Sequence, residues 1–350
     1  MTREEIKVRQ MTNQYLLTPS DKLTVVRDLC GLQSQFLVNA LHALKIRCND
    51  YDETTAADGL VKNWTVRGTV HVFAESDLPL FVRCDDGKNY LRNEWEGYRF
   101  WNNRDCWALS PERQAVLSEV VLHALADGAK TREELKVICR ENGMTYPEET
   151  CMFEPWGGGV RELCGRGFMN YVVQEKKAFC LAPPYTPMRD ETAQLEIARR
   201  YFANYGPATV HDAMYFLGAT QTAVKAWMAK LPLECAECGG KTYYWIPGGK
   251  TYGGEISDCL FLAGFDQLML GYQKKESLYL APEHLRGIFN LAGIVMPAVL
   301  LRGNAVGKWK KKGRKLVLTP FVSLSKRDRD TIAEKAQSLW ELGDILFEEQ

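Results

Sequence analysis

With 350 residues, 46% of them hydrophobic and 25% charged, the chain has the make-up of an ordinary soluble protein of two or three domains. Lys plus Arg equals Asp plus Glu at 44 each, so overall charge does not advertise nucleic-acid binding, and only a local patch could. No apolar run reaches the roughly 18 residues of a membrane span, and Met1-Thr2-Arg3-Glu4-Glu5 leads into no signal-peptide core, so a cytoplasmic protein with no membrane contact, and a monomer, is expected.

Residues 1–48 read as three helices. Glu4 to Leu17 forms the first, and Ser20 is expected to cap a second that begins at Asp21. Gly31 stops it, and Leu37, Leu41 and Leu44 mark a third from Phe36 to Cys48. Between these two helices lies Gly31-Leu32-Gln33-Ser34-Gln35. If that connection is extended, Gln33 and Gln35 point to one side and offer two neutral amides to one point. Two carboxamides can orient a water or hold a sugar or base; the alternative is a plain polar turn.

Thr54 to Asn63 is expected to be a short helix, and Trp64 to Phe73 alternates like a strand or hairpin. Three helices followed by a β-ribbon is the order of a winged helix. Arg67 and His71, four apart on that ribbon, could line a channel with the glutamines or simply sit on a strand surface. Residues 74–108 read as an aromatic-rich helical connector. Ser110-Pro111 then starts a helix to Ala126, and Thr131-Arg132-Glu133-Glu134 is a capping box for the next. A helix over Gly159 to Arg166 and a hairpin over Phe168 to Leu181 complete a second round of the same order. Gly157-Gly158-Gly159 could cradle a phosphate, but nothing around it makes a P-loop, and a flexible turn serves as well.

A third round follows the Pro183-Pro184-Tyr185-Thr186-Pro187 linker. Helices are expected at Thr192 to Tyr205, Val210 to Leu217 and Thr220 to Lys230. Strands follow at Lys241 to Pro247, Leu278 to Ala281, Ile294 to Arg302, Asn304 to Lys310 and Lys315 to Pro320, and a closing helix at Lys326 to Phe347. The fold expected is helix-rich α+β, with three tandem winged-helix units over 1–108, 109–186 and 187–350.

Eleven cysteines without regular spacing read as reduced thiols. Cys235 and Cys238 alone have metal-ligand spacing, but Cys259 and His284 fit no usual zinc pattern, and Gly239-Gly240 favours a hairpin turn. No metal is expected. Lys308, Lys310, Lys311, Lys312, Arg314 and Lys315 crowd cations into a predicted hairpin, where they could touch a phosphate backbone while Trp309 stacks on a base or sugar. Solvated lysines that blunt an edge strand are the alternative. Asp266, an acid within an apolar run, is either a buried capping group or a site residue.

Four stretches taken together resemble the HTH_42 family of winged-helix DNA glycosylases. They are Gly31-Leu32-Gln33-Ser34-Gln35, Trp64-Thr65-Val66-Arg67-Gly68-Thr69-Val70-His71, Tyr205-Gly206-Pro207-Ala208-Thr209 and Gly264-Phe265-Asp266-Gln267-Leu268-Met269-Leu270-Gly271-Tyr272. The Q-x-Q at Gln33 and Gln35 resembles the AlkZ-like branch; the YcaQ branch has Q-x-D. The resemblance implies three winged helices forming a C-shaped channel for double-stranded DNA with alkylated purines. It also implies excision of N7-alkylated purines, crosslinked ones among them, with no metal or organic cofactor. Gln33 and Gln35 would then be the catalytic pair, and Arg67, His71 and the lysine-rich hairpin would bind DNA. A non-catalytic winged-helix DNA-binding protein, or a protein-docking module, are the other readings.

Overall fold

The structure, a computed structural model, describes residues 1–65, 68–82, 109–154, 158–248 and 250–348. Arg67, Gly157 and the connector beyond Val82 lie outside them. In chain order, helix α1 (Arg3–Asn13) begins at a Thr2–Glu5 capping box and stops four residues short of Leu17, because Tyr15 takes a positive φ of 62°. In α2 (Lys22–Asp28) the cap is Asp21, not Ser20; the Asp21 carboxylate accepts from the Thr24 N–H. Ser20 is occupied elsewhere, its N–H donating to the Arg47 carbonyl. Strand β1 (Leu32–Gln33) and helix α3 (Leu37–Lys45) follow.

The short helix expected over Thr54 to Asn63 is absent. Gly59, with a φ of +72°, turns the chain into strand β2 (Leu60–Trp64), which pairs along its length with β3 (Val70–Ala74). That pairing satisfies a backbone row that an isolated turn of helix would leave open. Next come α4 (Leu78–Phe81), α5 (Pro111–Ala126), β4 (Lys130–Thr131), α6 (Arg132–Glu141), α7 (Tyr146–Met152), α8 (Gly158–Gly165), β5 (Met169–Tyr171) and β6 (Ala178–Leu181). Ser110 caps α5, and Thr131 and Glu134 cap α6 reciprocally, as their spacing predicts.

The remaining elements are α9 (Asp190–Asn204), α10 (Val210–Leu217), α11 (Gln221–Met228), β7 (Glu234–Cys238), β8 (Lys241–Trp245), β9 (Cys259–Leu262), α12 (Gln267–Leu270), α13 (Leu285–Ile288), β10 (Ala298–Leu301), β11 (Asn304–Lys312), β12 (Lys315–Pro320), α14 (Lys326–Leu339) and β13 (Asp344–Phe347). Cys235 and Cys238 lie on the β7–β8 hairpin, whose turn is Gly239-Gly240. The strand expected at Leu278 to Ala281 is a series of bends that buries Tyr279, whose hydroxyl donates to Gln10. The closing helix ends at Leu339 because Trp340 turns to extended backbone (φ −146°, ψ 150°) and packs its indole against His42 and Phe261. The chain then adds β13 parallel to β12.

The protein is α+β and divides into two compact units, residues 57–193 and residues 1–56 with 194–350. In the former, strands run in the order β3-β2-β5-β6-β4. A core of Leu117, Val121, Leu135, Cys139, Leu163 and Phe179 joins the strands to α5, α6 and α8. In the latter, β13-β12-β11-β10-β9 form one sheet, and α14 closes its core through Ile332 and Ala336. Among the described residues no helix is long and apolar enough to cross a membrane.

Candidate active site

Helix α2 ends on two consecutive left-handed residues, Cys30 (φ 56°) and Gly31 (φ 79°), with the Gly31 N–H donated to the Val26 carbonyl at 2.7 Å. The chain leaves this cap extended through Leu32 and Gln33, then bends at Gln35 and Phe36 into α3. Leu32 (1% exposed) and Ser34 (0%) anchor the segment inward. Gln33 is 8% exposed and Gln35 is half-buried. Neither carboxamide has a hydrogen-bond partner among the described residues. Neither amide is among the fully buried polar atoms that lack a partner, so both stay open to water or a ligand and the pair is chemically available. Asp28, the nearest preceding acid, is taken up by the Tyr15 hydroxyl.

Four contacts hold α3 and the segment at its start. Arg47, just past its end, is fully buried and forms a two-pronged ion pair with fully buried Asp266, at 2.9 and 2.7 Å. It also donates to the Gln14 and Ala43 carbonyls. Asp266 in turn caps α12 by accepting from the Leu268 N–H, which settles its role as a buried capping and pairing group. Midway along α3, the His42 Nε2 lies 2.8 Å from the Phe261 carbonyl, and the ring packs against Trp309 and Trp340. Burial pushes the His42 pKa down to about 4, so the ring is neutral at pH 7. Nearer the start, Asn39 presses on Gly264, where a Cβ would come within 2.8 Å of the Asn39 amide nitrogen. Phe36 stacks on Phe265 with ring centroids 6.2 Å apart. Sequence reasoning missed Arg47, His42 and Asn39. Nothing local singles out Arg47, which stands between Lys45 and Asp50, whereas Asp266 is a lone charge in an apolar run.

His71 is 0% exposed and lies deep in the β2–β3 hairpin, its Nδ1 3.0 Å from both the Thr65 hydroxyl and the Thr69 carbonyl. Its ring is therefore not on the open face of a ribbon, contrary to expectation, because two hairpin oxygens draw it in. Trp309 also departs from expectation. Its indole N–H donates to the Leu262 carbonyl at 2.9 Å and its half-buried ring packs against Phe261, His42 and Trp340, so it lies against the core.

The cations do gather on the β11–β12 hairpin. Register pairs Lys308 with Thr319, Lys310 with Val317 and Lys312 with Lys315. Alternation thus puts Lys308, Lys310, Lys312 and Lys315 on one face, and Trp309 and Lys311 on the other. Arg314 occupies the turn. From Lys310 to Lys315 every residue is exposed, and among the described residues none of the six cations pairs with an acid. A cavity of about 700 Å³ bordered by Lys241, Tyr279 and His284 includes no residue of the glutamine segment.

Residues 26–342 match the family described as DNA glycosylase AlkZ-like. The chain is 27% identical over 337 residues to the interstrand DNA cross-link repair glycosylase of Streptomyces sahachiroi, covering 89% of this chain and 88% of that protein. Its fold is similar to that of Streptomyces sahachiroi DNA glycosylase AlkZ, with a TM-score of 0.76, 22% identity and full coverage of both chains. The match spans the glutamine segment, the scaffold of α3 and the lysine-rich hairpin alike: this chain belongs to the AlkZ-like DNA glycosylase family.

Proposed function

We propose that this chain is a monofunctional DNA glycosylase that hydrolyses the N-glycosidic bond of N7-alkylated purines, including purines joined in interstrand crosslinks. The observation that carries the reading is Gln33, 92% buried in an extended segment yet without an internal partner, followed two residues later by a second unpaired amide. An N7-alkylated guanine is cationic and leaves readily, so its departure needs no added proton. The C1′–N9 bond breaks with its electron pair going to the purine, which neutralises the alkylated ring. Water then bonds C1′ and releases a proton to solvent. Gln33 and Gln35 accept from that water and orient their carbonyl dipoles toward the developing sugar cation. A carboxamide is not a general base, so turnover is slow and confined to labile, charged adducts.

The fold we propose behind this activity is three tandem winged helices, over 1–108, 109–186 and 187–350. The order α5, β4, α6, α8, β5, β6, with the short α7 inserted before α8, supports the middle one. The face of Lys308, Lys310, Lys312 and Lys315, with Arg314, supports a contact to the duplex backbone. The test is release of 7-methylguanine from a methylated duplex. Gln33→Ala and Gln35→Ala each abolish release while duplex affinity stays nearly unchanged. Wild-type protein that releases no base from N7-alkylated DNA would overturn the proposal.

A further inference from the structure

We propose that Leu291 is an apolar wedge that enters the base stack of duplex DNA beside the glutamine segment; this rests on the glycosylase reading above. Leu291 is 87% exposed, the most open large hydrophobic side chain among the described residues. It sits at the tip of a tight, internally bonded turn. The Asn290 N–H donates to the Ile294 carbonyl at 3.1 Å, and the Ile294 N–H to the Asn290 side-chain oxygen at 2.8 Å. Gly293 supplies the left-handed residue (φ +78°) that the turn requires. Below it, Phe289 and Val295 bridge antiparallel and are each 4% exposed. A lone exposed leucine needs no explanation by itself. A leucine held out on a turn with a buried, bonded base is different, because its presentation is already ordered and insertion loses little entropy.

The turn is tied to the glutamine segment. The Val295 carbonyl accepts from the Phe265 N–H at 3.1 Å, and Phe265 stacks on Phe36, the residue after Gln35. At the turn's base the Lys274 ammonium lies 5.2 Å over the Phe289 ring, a cation placed for a backbone phosphate next to the inserted side chain. Apolar side chains that enter a duplex part neighbouring bases, and burial of a leucine recovers free energy of the order that opening a step costs. Parting the stack next to an alkylated purine gives the two amides access to its sugar.

The experiment uses the full chain and a duplex with 2-aminopurine next to 7-methylguanine, whose fluorescence rises when the base unstacks. Wild-type protein raises the signal, Leu291→Ala loses most of the rise and releases base about tenfold more slowly, and Leu291→Met keeps both. Salt dependence of binding is the same in all three, since no charge changes. A Leu291→Ala protein that matches wild type in fluorescence overturns the wedge. A Leu291-dependent rise without any base release leaves the wedge standing and sinks the glycosylase reading; release without that rise does the reverse.

Discussion

Replacing Asp266 by Ala tests the scaffold under the glutamines. Asp266 and Arg47 are both 0% exposed, and the guanidinium makes both of its charged contacts to this one carboxylate. Deleting the acid leaves a buried cation with only the Gln14 and Ala43 carbonyls for company. Loss of one partner of such a pair typically costs about 3–5 kcal/mol. In a unit of this size that lowers the melting temperature by roughly 6–20 °C. Urea unfolding followed by tryptophan fluorescence reads the change as a lower midpoint at an unchanged slope. A double variant, Arg47→Met with Asp266→Asn, removes both charges and keeps the cap on α12, and it recovers most of the loss. Below the variant's melting point, base release by Asp266→Ala falls as well, because α3 loses the anchor at its far end. An Asp266→Ala protein within about 1 kcal/mol of wild type would refute the reasoning, since no buried charge could then have been stranded.

Two further outcomes are expected. Replacing Lys310 and Lys312 by Ala, two cations on one face of the hairpin, weakens binding to all duplex sequences alike and lowers the salt slope by about 2; Lys311→Ala, on the opposite face, lowers it by less, and equal effects would show that the strand face does not matter. His42 has a folded pKa of about 4 against an ordinary 6.5. The unfolded chain therefore takes up the proton first as pH falls: the stability due to neutral His42 is complete above about 6.5 and drains between there and about 4, by roughly 3 kcal/mol. His42→Gln flattens that part of a stability–pH curve, and a curve as steep as wild type's would assign the loss to other groups.

Elements set by near neighbours were legible from the chain alone. The Thr131–Glu134 box, the Ser110-Pro111 start, the Val210–Leu217 helix and the Gly239-Gly240 turn each depend on residues three or four positions apart, and they form where spacing puts them. The four family stretches were likewise readable, and the family they resemble is the one the chain belongs to. Where a segment's partner is distant in sequence, local reasoning went astray. Leu60–Trp64 has the make-up of a short helix and is a strand because β3 pairs with it. Asp344–Phe347 continues a helical pattern and is a strand because β12 offers an open edge.

The glutamine segment shows the same division. Its residue types, the glycine that frees it from α2 and the helix that follows are local properties, so the sequence by itself determined that Gln33 and Gln35 sit between two helices. That Gln33 is mostly buried while its amide has no internal partner and stays open to solvent was decided by tertiary structure. So was the clamp beneath it: Arg47 and Asp266 are 219 residues apart, and only the packing of residues 1–56 with 194–350 brings their charges together. The same packing turned Trp309 from the expected duplex face onto the core, because a half-buried indole gains more from Phe261, His42 and Trp340 than alternation along one strand can foretell.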